Sequence, residues 1–240
     1  MRLFEGFALA FNMLTILPFF KVHDFFKGIN GYSAMFYPLV GFFLGSFLWL
    51  THTLLEGVVP APHVAVIIFA LWVCITGALH LDGFSDTVDG LFVSKERAIE
   101  VMKDSHVGGM GMIFTLVFLL LKLSSIIYLD AYYLLPIILM VSRLNATLAI
   151  YFFEYISSGV GALIKEELTA KMLLFSVFYT FLLTLFFGFT SSLFFALIVL
   201  LLSTKFFIKR LEGLNGDIYG FIIEMSELTL LNALILLHQT

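Results

Sequence analysis

Seven apolar segments, each long enough to cross a lipid bilayer, constrain this chain more than any other feature of its sequence. A helix crosses the hydrocarbon core with about 20 apolar residues, within a range of about 17–25. The chain is 61% hydrophobic and 12% charged, whereas soluble domains have about 45–50% apolar and about 25% charged residues. We therefore predict an all-α, polytopic transmembrane helix bundle that forms a single integral membrane domain over residues 1–240. The predicted spans are residues 34–55, 63–80, 109–129, 133–153, 172–189, 191–208 and 218–238.

An eighth apolar stretch, residues 3–19, precedes these spans and ends near Pro18. If it crossed the bilayer fully, Arg2 would lie outside the cell. We predict instead an interfacial or re-entrant helix, which keeps Arg2 inside. Cys74 is the only cysteine, so the chain forms no intrachain disulfide and has no cysteine-based metal site.

Basic residues alternate strictly from loop to loop. Lys and Arg concentrate in cytoplasmic loops, so we predict that the four loops containing them face the cytoplasm of a cell whose inner membrane holds the protein. Three other connections, 56–62, 130–132 and 188–192, contain no Lys or Arg. The basic loops, 20–33, 81–108, 154–171 and 203–217, contain Lys21, Lys27, Lys95, Arg97, Lys103, Lys165, Lys171, Lys205, Lys209 and Arg210.

Three aspartates follow the second predicted span closely. At about 100° per residue, Asp82, Asp86 and Asp89 fall at about 0°, 40° and −20° around a helix, on one stripe. Carboxylates on one stripe repel one another unless solvent or a divalent cation relieves the charge. We predict that these three bind Mg²⁺ for a phosphorylated substrate. Asp89 could instead accept a proton from an attacking hydroxyl, and the spacing does not separate the two roles. A solvated acidic helix end is the alternative.

Two further polar blocks are predicted on the same membrane face, so we expect active-site loops over residues 80–111 and 209–227. The block Met102–Gly111 places Lys103 and several glycines at the entry to the third span. Free N–H groups at a helix entry favour anions such as phosphate, although glycine also serves helix packing in membranes. The second block has the turn signal Asn215-Gly216, with Asp217 directly after it.

Four charged residues are predicted inside spans: Lys122, Arg143, Glu224 and Glu227. Ionisable side chains there usually face a polar cavity or a partner. Asp217 and Glu224 are seven residues apart and share a helical face. We expect Arg143 to contact a substrate phosphate, and the alternative is a structural ion pair, for example with Glu227. Lys122 is long enough to reach the interface and receives no role.

These residues together resemble the adenosylcobinamide-GDP ribazoletransferase family, also called cobalamin 5′-phosphate synthase. The resemblance covers nearly the whole chain. Asn215 stands where the family is expected to have Thr, and His106 where Arg is common, which bears on fine substrate contacts. The matching segments are 14–18, 36–41, 80–83, 86–91, 102–105 with Gly108, 142–143, and 215–217 with Gly220 and Glu224.

The resemblance implies a Mg²⁺-dependent transferase at the end of cobalamin biosynthesis. The 3′-hydroxyl of α-ribazole, or of its 5′-phosphate, would attack adenosylcobinamide-GDP and GMP would leave. Membrane lipid is an expected partner, nucleic acid is not, and a homo-oligomer or a complex with other enzymes of the pathway stays open. The implied metal ligands are Asp82, Asp86 and Asp89, with Asp89 also the preferred base. The implied catalytic and substrate contacts are Lys103, Asp104, Ser105, Asn215, Asp217 and Glu224.

Two other functions compete with this interpretation. CDP-alcohol phosphotransferases of lipid synthesis also place spaced aspartates at a cytoplasmic helix end. Their acidic residues extend over a longer interval, with Ala-Arg after the first Asp-Gly, where this chain has Phe84-Ser85. A cation transporter would have carboxylates near mid-bilayer in several spans, whereas here they cluster at one edge.

Overall fold

The structure is a computed structural model, and it describes residues 2–104, 106 and 108–238. Within these residues the secondary structure is helical, apart from an isolated bridge between Tyr155 and Leu214. The predicted all-α bundle is confirmed. The helices are α1 (Arg2–Leu14), α2 (Ile29–Leu55), α3 (Ala61–Ile75), α4 (Leu79–Leu91), α5 (Lys95–Met102), α6 (Gly109–Ile127), α7 (Leu135–Phe152, after a 3₁₀ turn at Tyr132–Leu134), α8 (Val160–Glu167), α9 (Ala170–Phe186), α10 (Ser191–Leu211) and α11 (Gly216–His238).

The number of membrane-crossing segments agrees with the prediction. Among the described residues, five helices are long and apolar enough to cross a membrane: α2, α6, α7 with its 3₁₀ turn, α10 and α11. Two bent pairs meet the same criterion together, α3 with α4 and α8 with α9, which gives up to seven spans. The protein is therefore a membrane-embedded, multi-pass helix bundle.

Helix α1 is shorter than the apolar stretch that predicted it. Its 13 residues rise about 20 Å at about 1.5 Å per residue, less than the hydrocarbon core of about 30 Å. The helix ends at Leu14, and the backbone N–H of Ile16 then donates to the carbonyl oxygen of Ile75 at 2.9 Å. This bond ties the segment after α1 to the end of α3.

Helix α7 forms the centre of the bundle, because most of its side chains are buried and it packs against α2, α9, α10 and α11. Its closest neighbour is α2. A Cβ atom added to Gly41 would lie 2.3 Å from the carbonyl oxygen of Leu139, and one added to Gly45 would lie 2.4 Å from that of Leu135. The two glycines, four residues apart, therefore let the α2 and α7 backbones touch, as small residues do in membrane helix pairs.

The second predicted span is broken near its end. Gly77 and Ala78 both have positive φ angles, of 61° and 56°, a backbone conformation that glycine adopts without strain and alanine rarely adopts. The chain turns there, so that α4 lies at 80° to α3. The turn directs the acidic helix away from the axis of the apolar one.

Four charged side chains meet in the interior of the bundle, between α6, α7 and α11. The Nζ atom of Lys122 donates to Glu224 at 2.7 Å and also to Glu227. Arg143 donates to the other carboxylate oxygen of Glu227. Lys122 is 2% exposed and Arg143 is fully buried. Two cations thus balance two anions, as buried charges in a membrane protein require.

This buried network shows where two side chains with open roles lie. The pairing of Arg143 with Glu227, expected as the structural alternative, is confirmed. Lys122 does not extend to the interface, because its ammonium group lies 4.4 Å from the centre of the Trp72 ring as well as beside the two glutamates. The apolar stem of lysine allowed either arrangement, and the two carboxylates on α11 favour the buried one.

The balance of this network generates a stability prediction. We expect Glu227→Leu to lower the free energy of unfolding by about 3–5 kcal/mol, because it leaves two buried cations with one carboxylate. Adding Arg143→Met restores equal numbers of charges, so the double variant should be more stable than the single one. Unfolding in detergent micelles measures both. A double variant no more stable than Glu227→Leu would contradict the charge-balance explanation.

Candidate active site

The acidic stripe forms a helix, α4, and its three aspartates differ in exposure. Asp82 is exposed, Asp86 is half-buried and Asp89 is buried. Asp86 lies within electrostatic range of both other aspartates and of Asp217 on α11. Two distant parts of the chain therefore bring four carboxylates into one cluster, Asp82, Asp86, Asp89 and Asp217, which we call the acidic cluster.

Two glycines build this cluster by letting α4 and α11 touch. A Cβ atom on Gly83 would lie 2.9 Å from the carbonyl oxygen of Asp217, and one on Gly220 would lie 3.0 Å from that of His80. Any larger side chain at either position would push the helices apart. The contact fixes the first turn of α11 beside the first turns of α4.

Asn215 positions Asp217 at the start of α11. Its side-chain oxygen accepts a hydrogen bond from the N–H of Ile218 at 3.0 Å, as an N-cap residue does. Its amide nitrogen donates to the Asp217 carboxylate at 2.8 Å. Asn215 is 2% exposed, so it is a buried residue that supports the Asp217 carboxylate through this hydrogen bond.

Asp89 joins α4 to the glycine-rich entry of α6. Its two carboxylate oxygens accept hydrogen bonds from the N–H groups of Gly108 and Gly111, each at 2.7 Å. Added Cβ atoms at these two glycines would lie 2.3 Å from Asp89 oxygens. The predicted anion at this helix entry is thus, in this structure, a carboxylate of the same chain.

The loop between α5 and α6 carries exposed polar side chains near the cluster. Lys103 lies within electrostatic range of Asp217. Asp104 accepts a hydrogen bond from the backbone N–H of His106 at 3.0 Å, and its carboxylate lies 2.7 Å from the His106 ring. The hydrogen bond to this ring lowers the pKa of the Asp104 carboxyl. Ser105, predicted to contact substrate, lies outside the described residues.

Arg143 and Glu224 are not in the acidic cluster. Both belong to the buried ion-pair network, where their charged groups are already paired. Glu224 lies two helical turns beyond Asp217 on α11. Their predicted contact with substrate stays a prediction, and the contacts seen are structural.

The donor chemistry of the acidic cluster suits a hard cation. In the described part of the chain no group of three or more His, Cys, Asp or Glu side chains is arranged to hold a metal ion. Mg²⁺, however, usually takes only one or two carboxylates, with water and substrate phosphates as its other ligands. Asp82 and Asp86 make no ion pair within the described residues, so their oxygens are available for this arrangement.

The sequence predicted a polar cavity at the acidic residues, but not the mainly apolar cavity that lies beside the cluster. It has a volume of about 250 Å³, and Asp217, His80 and Tyr219 are among the residues that line it. His80 lies on the face of α4 opposite the aspartates, which excluded it from the metal site. That same opposition places it inside the bundle, where it is 4% exposed. The position of His80 on the buried face of α4 was the sequence signal that could have identified it as a cavity residue.

Comparison with known proteins identifies the family. The family model described as cobalamin-5-phosphate synthase matches residues 6–235. A relative from Desulfitobacterium hafniense, named adenosylcobinamide-GDP ribazoletransferase, is 35% identical over 93% of both chains. Relatives of the same name from Thermosynechococcus vestitus and Desulforamulus reducens are 37% and 34% identical, over 84% and 99% of this chain and 85% and 98% of theirs. No solved structure matches the chain significantly. The chain belongs to the cobalamin-5-phosphate synthase family.

Proposed function

We propose that this protein joins adenosylcobinamide-GDP to α-ribazole, or to α-ribazole 5′-phosphate, with release of GMP in the final steps of cobalamin biosynthesis. The observation that carries this proposal is the acidic cluster, built by α4 and α11 in a chain that matches its ribazoletransferase relatives over most of its length. Carboxylates that make no ion pair within the described residues, beside a cavity, suit a reaction on a diphosphate, which needs a cation and an acceptor site.

The reaction is a substitution at phosphorus. The 3′-hydroxyl oxygen of the nucleoside forms a bond to the phosphorus that bears cobinamide, and the bond from that phosphorus to the GMP oxygen breaks. The hydroxyl proton passes to a carboxylate or through water to solvent. Catalysis of such transfers depends mainly on positioning and on charge stabilisation.

We assign different roles to the four carboxylates. Asp82 and Asp86, whose oxygens have no ion-pair partner in the described chain, would hold Mg²⁺ together with substrate phosphates, and Asp217 lies close enough to assist. Bound there, Mg²⁺ would supply charge neutralisation for the diphosphate. Both oxygens of Asp89 accept backbone N–H groups, so we assign it to positioning the entry of α6. Exposed Lys103 would contact the diphosphate.

A paired-substrate assay tests the activity. In lipid with Mg²⁺, we expect GMP release from adenosylcobinamide-GDP and α-ribazole, and no CMP release from CDP-diacylglycerol with a small alcohol. Asp82→Asn and Asp86→Asn should each lower GMP release by about 100-fold or more, because each removes a charged ligand from the diphosphate site. The matched control, Asp130→Asn, changes an exposed aspartate on the connection before α7 and should act like the unmodified protein. Full activity in both cluster variants, or CMP release, would contradict the proposal.

Neighbouring glycines at the entry of α6 test the role of Asp89. We expect Gly111→Ala to lower GMP release at least tenfold, because the added methyl group would meet the Asp89 carboxylate and Ser85. Gly109→Ala, two residues earlier, adds the same group where nothing lies within 4 Å, and should retain activity. Hydrogen exchange should be faster at the amide of residue 111 in the first variant only. Equal activities would show that the Asp89 contact does not matter.

Orientation in the membrane belongs to the proposal, because nucleotides and Mg²⁺ are supplied from the cytoplasm. We propose that the active-site loops face the cytoplasm of the inner membrane. Cys74 is exposed, so the test uses a Cys74→Ser background. There, Val58→Cys and Asp130→Cys should react with an impermeant thiol reagent added to intact cells. Glu100→Cys, on α5, should react only after the cells are opened. The reverse pattern would invert the topology and contradict cytoplasmic catalysis.

A further inference from the structure

The cavity of about 250 Å³ beside the acidic cluster has features of a built ligand site. It lies among α1, α2, α4, α7, α8 and α11, with one wall made by the loop that follows α7. We propose that it binds the heteroaromatic base of the acceptor nucleoside, with His80 and Tyr219 as the polar contacts. Because that base belongs to the acceptor of the proposed transfer, this role rests on the proposed function.

The walls of the cavity suit a flat, largely apolar ring. Aliphatic side chains from α7, α8 and α11 line it, among them Ile150, Ile164 and Ile223. The rings of Tyr155 and Tyr219 lie at 27° to each other with centres 6.1 Å apart, and both line the cavity. Aromatic side chains bind bases by stacking, which contributes about 1–3 kcal/mol per base in other proteins.

Two buried polar atoms at this cavity have no partner in the described chain. They are the Nε2 atom of His80 and the hydroxyl oxygen of Tyr219. Both residues are more than nine-tenths buried, with 4% and 7% of their surface exposed. Buried polar groups are almost always hydrogen-bonded, so two unpartnered ones on the same cavity indicate a ligand that supplies the missing bonds.

The surroundings of His80 determine which hydrogen it presents. Its Nδ1 atom lies 3.5 Å from a guanidinium nitrogen of Arg143. Arginine only donates hydrogen bonds, so this contact favours the neutral tautomer in which Nδ1 is the acceptor nitrogen. The hydrogen is then on Nε2, and His80 presents an N–H donor. An N-glycosylated bicyclic base carries one unprotonated ring nitrogen and no ring N–H, so that nitrogen can accept the hydrogen bond from His80. The Tyr219 hydroxyl, which can donate or accept, is then left for a hydroxyl of the attached sugar.

The position and size of the cavity fit one part of the substrate pair. Asp217 belongs both to the acidic cluster and to the cavity wall, so a base bound here places its ribose towards the carboxylates. Pockets for drug-sized ligands measure about 300–1,000 Å³. A cavity just below this range holds a base and part of its sugar, whereas the corrinoid macrocycle is too large for it.

Direct binding tests this assignment without catalysis. The full chain in lipid nanodiscs, with neither metal nor corrinoid substrate, should bind α-ribazole with a change in the fluorescence of the base. We expect Tyr219→Phe and His80→Leu each to weaken binding about tenfold, the effect of losing one hydrogen bond. His80→Gln, which keeps an N–H donor at a similar position, should recover most of the affinity. Ala146→Leu, which fills the cavity, should abolish binding.

The controls separate this proposal from the activity on which it rests. Thr180→Val removes an unpartnered buried hydroxyl on α9, away from the cavity, and should leave α-ribazole affinity unchanged. The KM for adenosylcobinamide-GDP should change little in Tyr219→Phe.

If the unmodified protein releases GMP while all the cavity variants bind α-ribazole normally, the cavity assignment is wrong and the function stands. If the unmodified protein neither binds α-ribazole nor releases GMP, both proposals are wrong. Bound phospholipid lost from Ala146→Leu, with normal α-ribazole binding, would assign the cavity to an acyl chain instead.

Discussion

The contact between α4 and α11 is the constraint on which the rest of the site depends. At Gly83 and Gly220 the two helices meet backbone to backbone, and even a methyl group would not fit without moving one of them. This closeness brings Asp217 to the aspartates of α4 on one side. On the other side it places His80 and Tyr219 around one cavity. A single small-residue contact thus creates both the charged and the apolar half of the proposed site.

Two polar ties and this contact close a triangle among α4, α6 and α11. Asp89 of α4 holds the first turn of α6 through Gly108 and Gly111. Further along α6, Lys122 holds α11 through two glutamates, and α11 returns to α4. Buried ion pairs often contribute little net stability compared with apolar packing, but they strongly disfavour arrangements in which a charge loses its partner. The triangle therefore selects one relative position of the three helices, which is what a site shared between them requires.

The sequence predicted the helices and the acidic stripe well, because both follow from local periodicity. Apolar length located the spans, and the spacing of Asp82, Asp86 and Asp89 predicted a helix. Contacts between distant segments could not be predicted from local periodicity. The glycines of residues 102–111 indicated an anion site, but only the fold shows that Asp89 occupies it. The 80° turn between α3 and α4 depends on a positive φ at Ala78. Alanine rarely adopts this conformation, so the sequence did not predict the turn. Lys122 could be interfacial or buried, and its two partners on α11 decided the outcome.

The proposed acceptor site also gives a physical reason for a membrane-embedded enzyme whose proposed substrates are not lipids. Residues of α1, α2, α4, α7, α8 and α11 form the walls of the cavity, so the helices that cross or meet the membrane are also the surface that would receive the base. Helices held by a bilayer and by buried charges have little freedom to move apart. A transfer at phosphorus gains most from reactants held in line and from exclusion of competing water. A rigid apolar slot that opens beside a carboxylate cluster supplies both, with the hydroxyl of the acceptor held at the boundary between them.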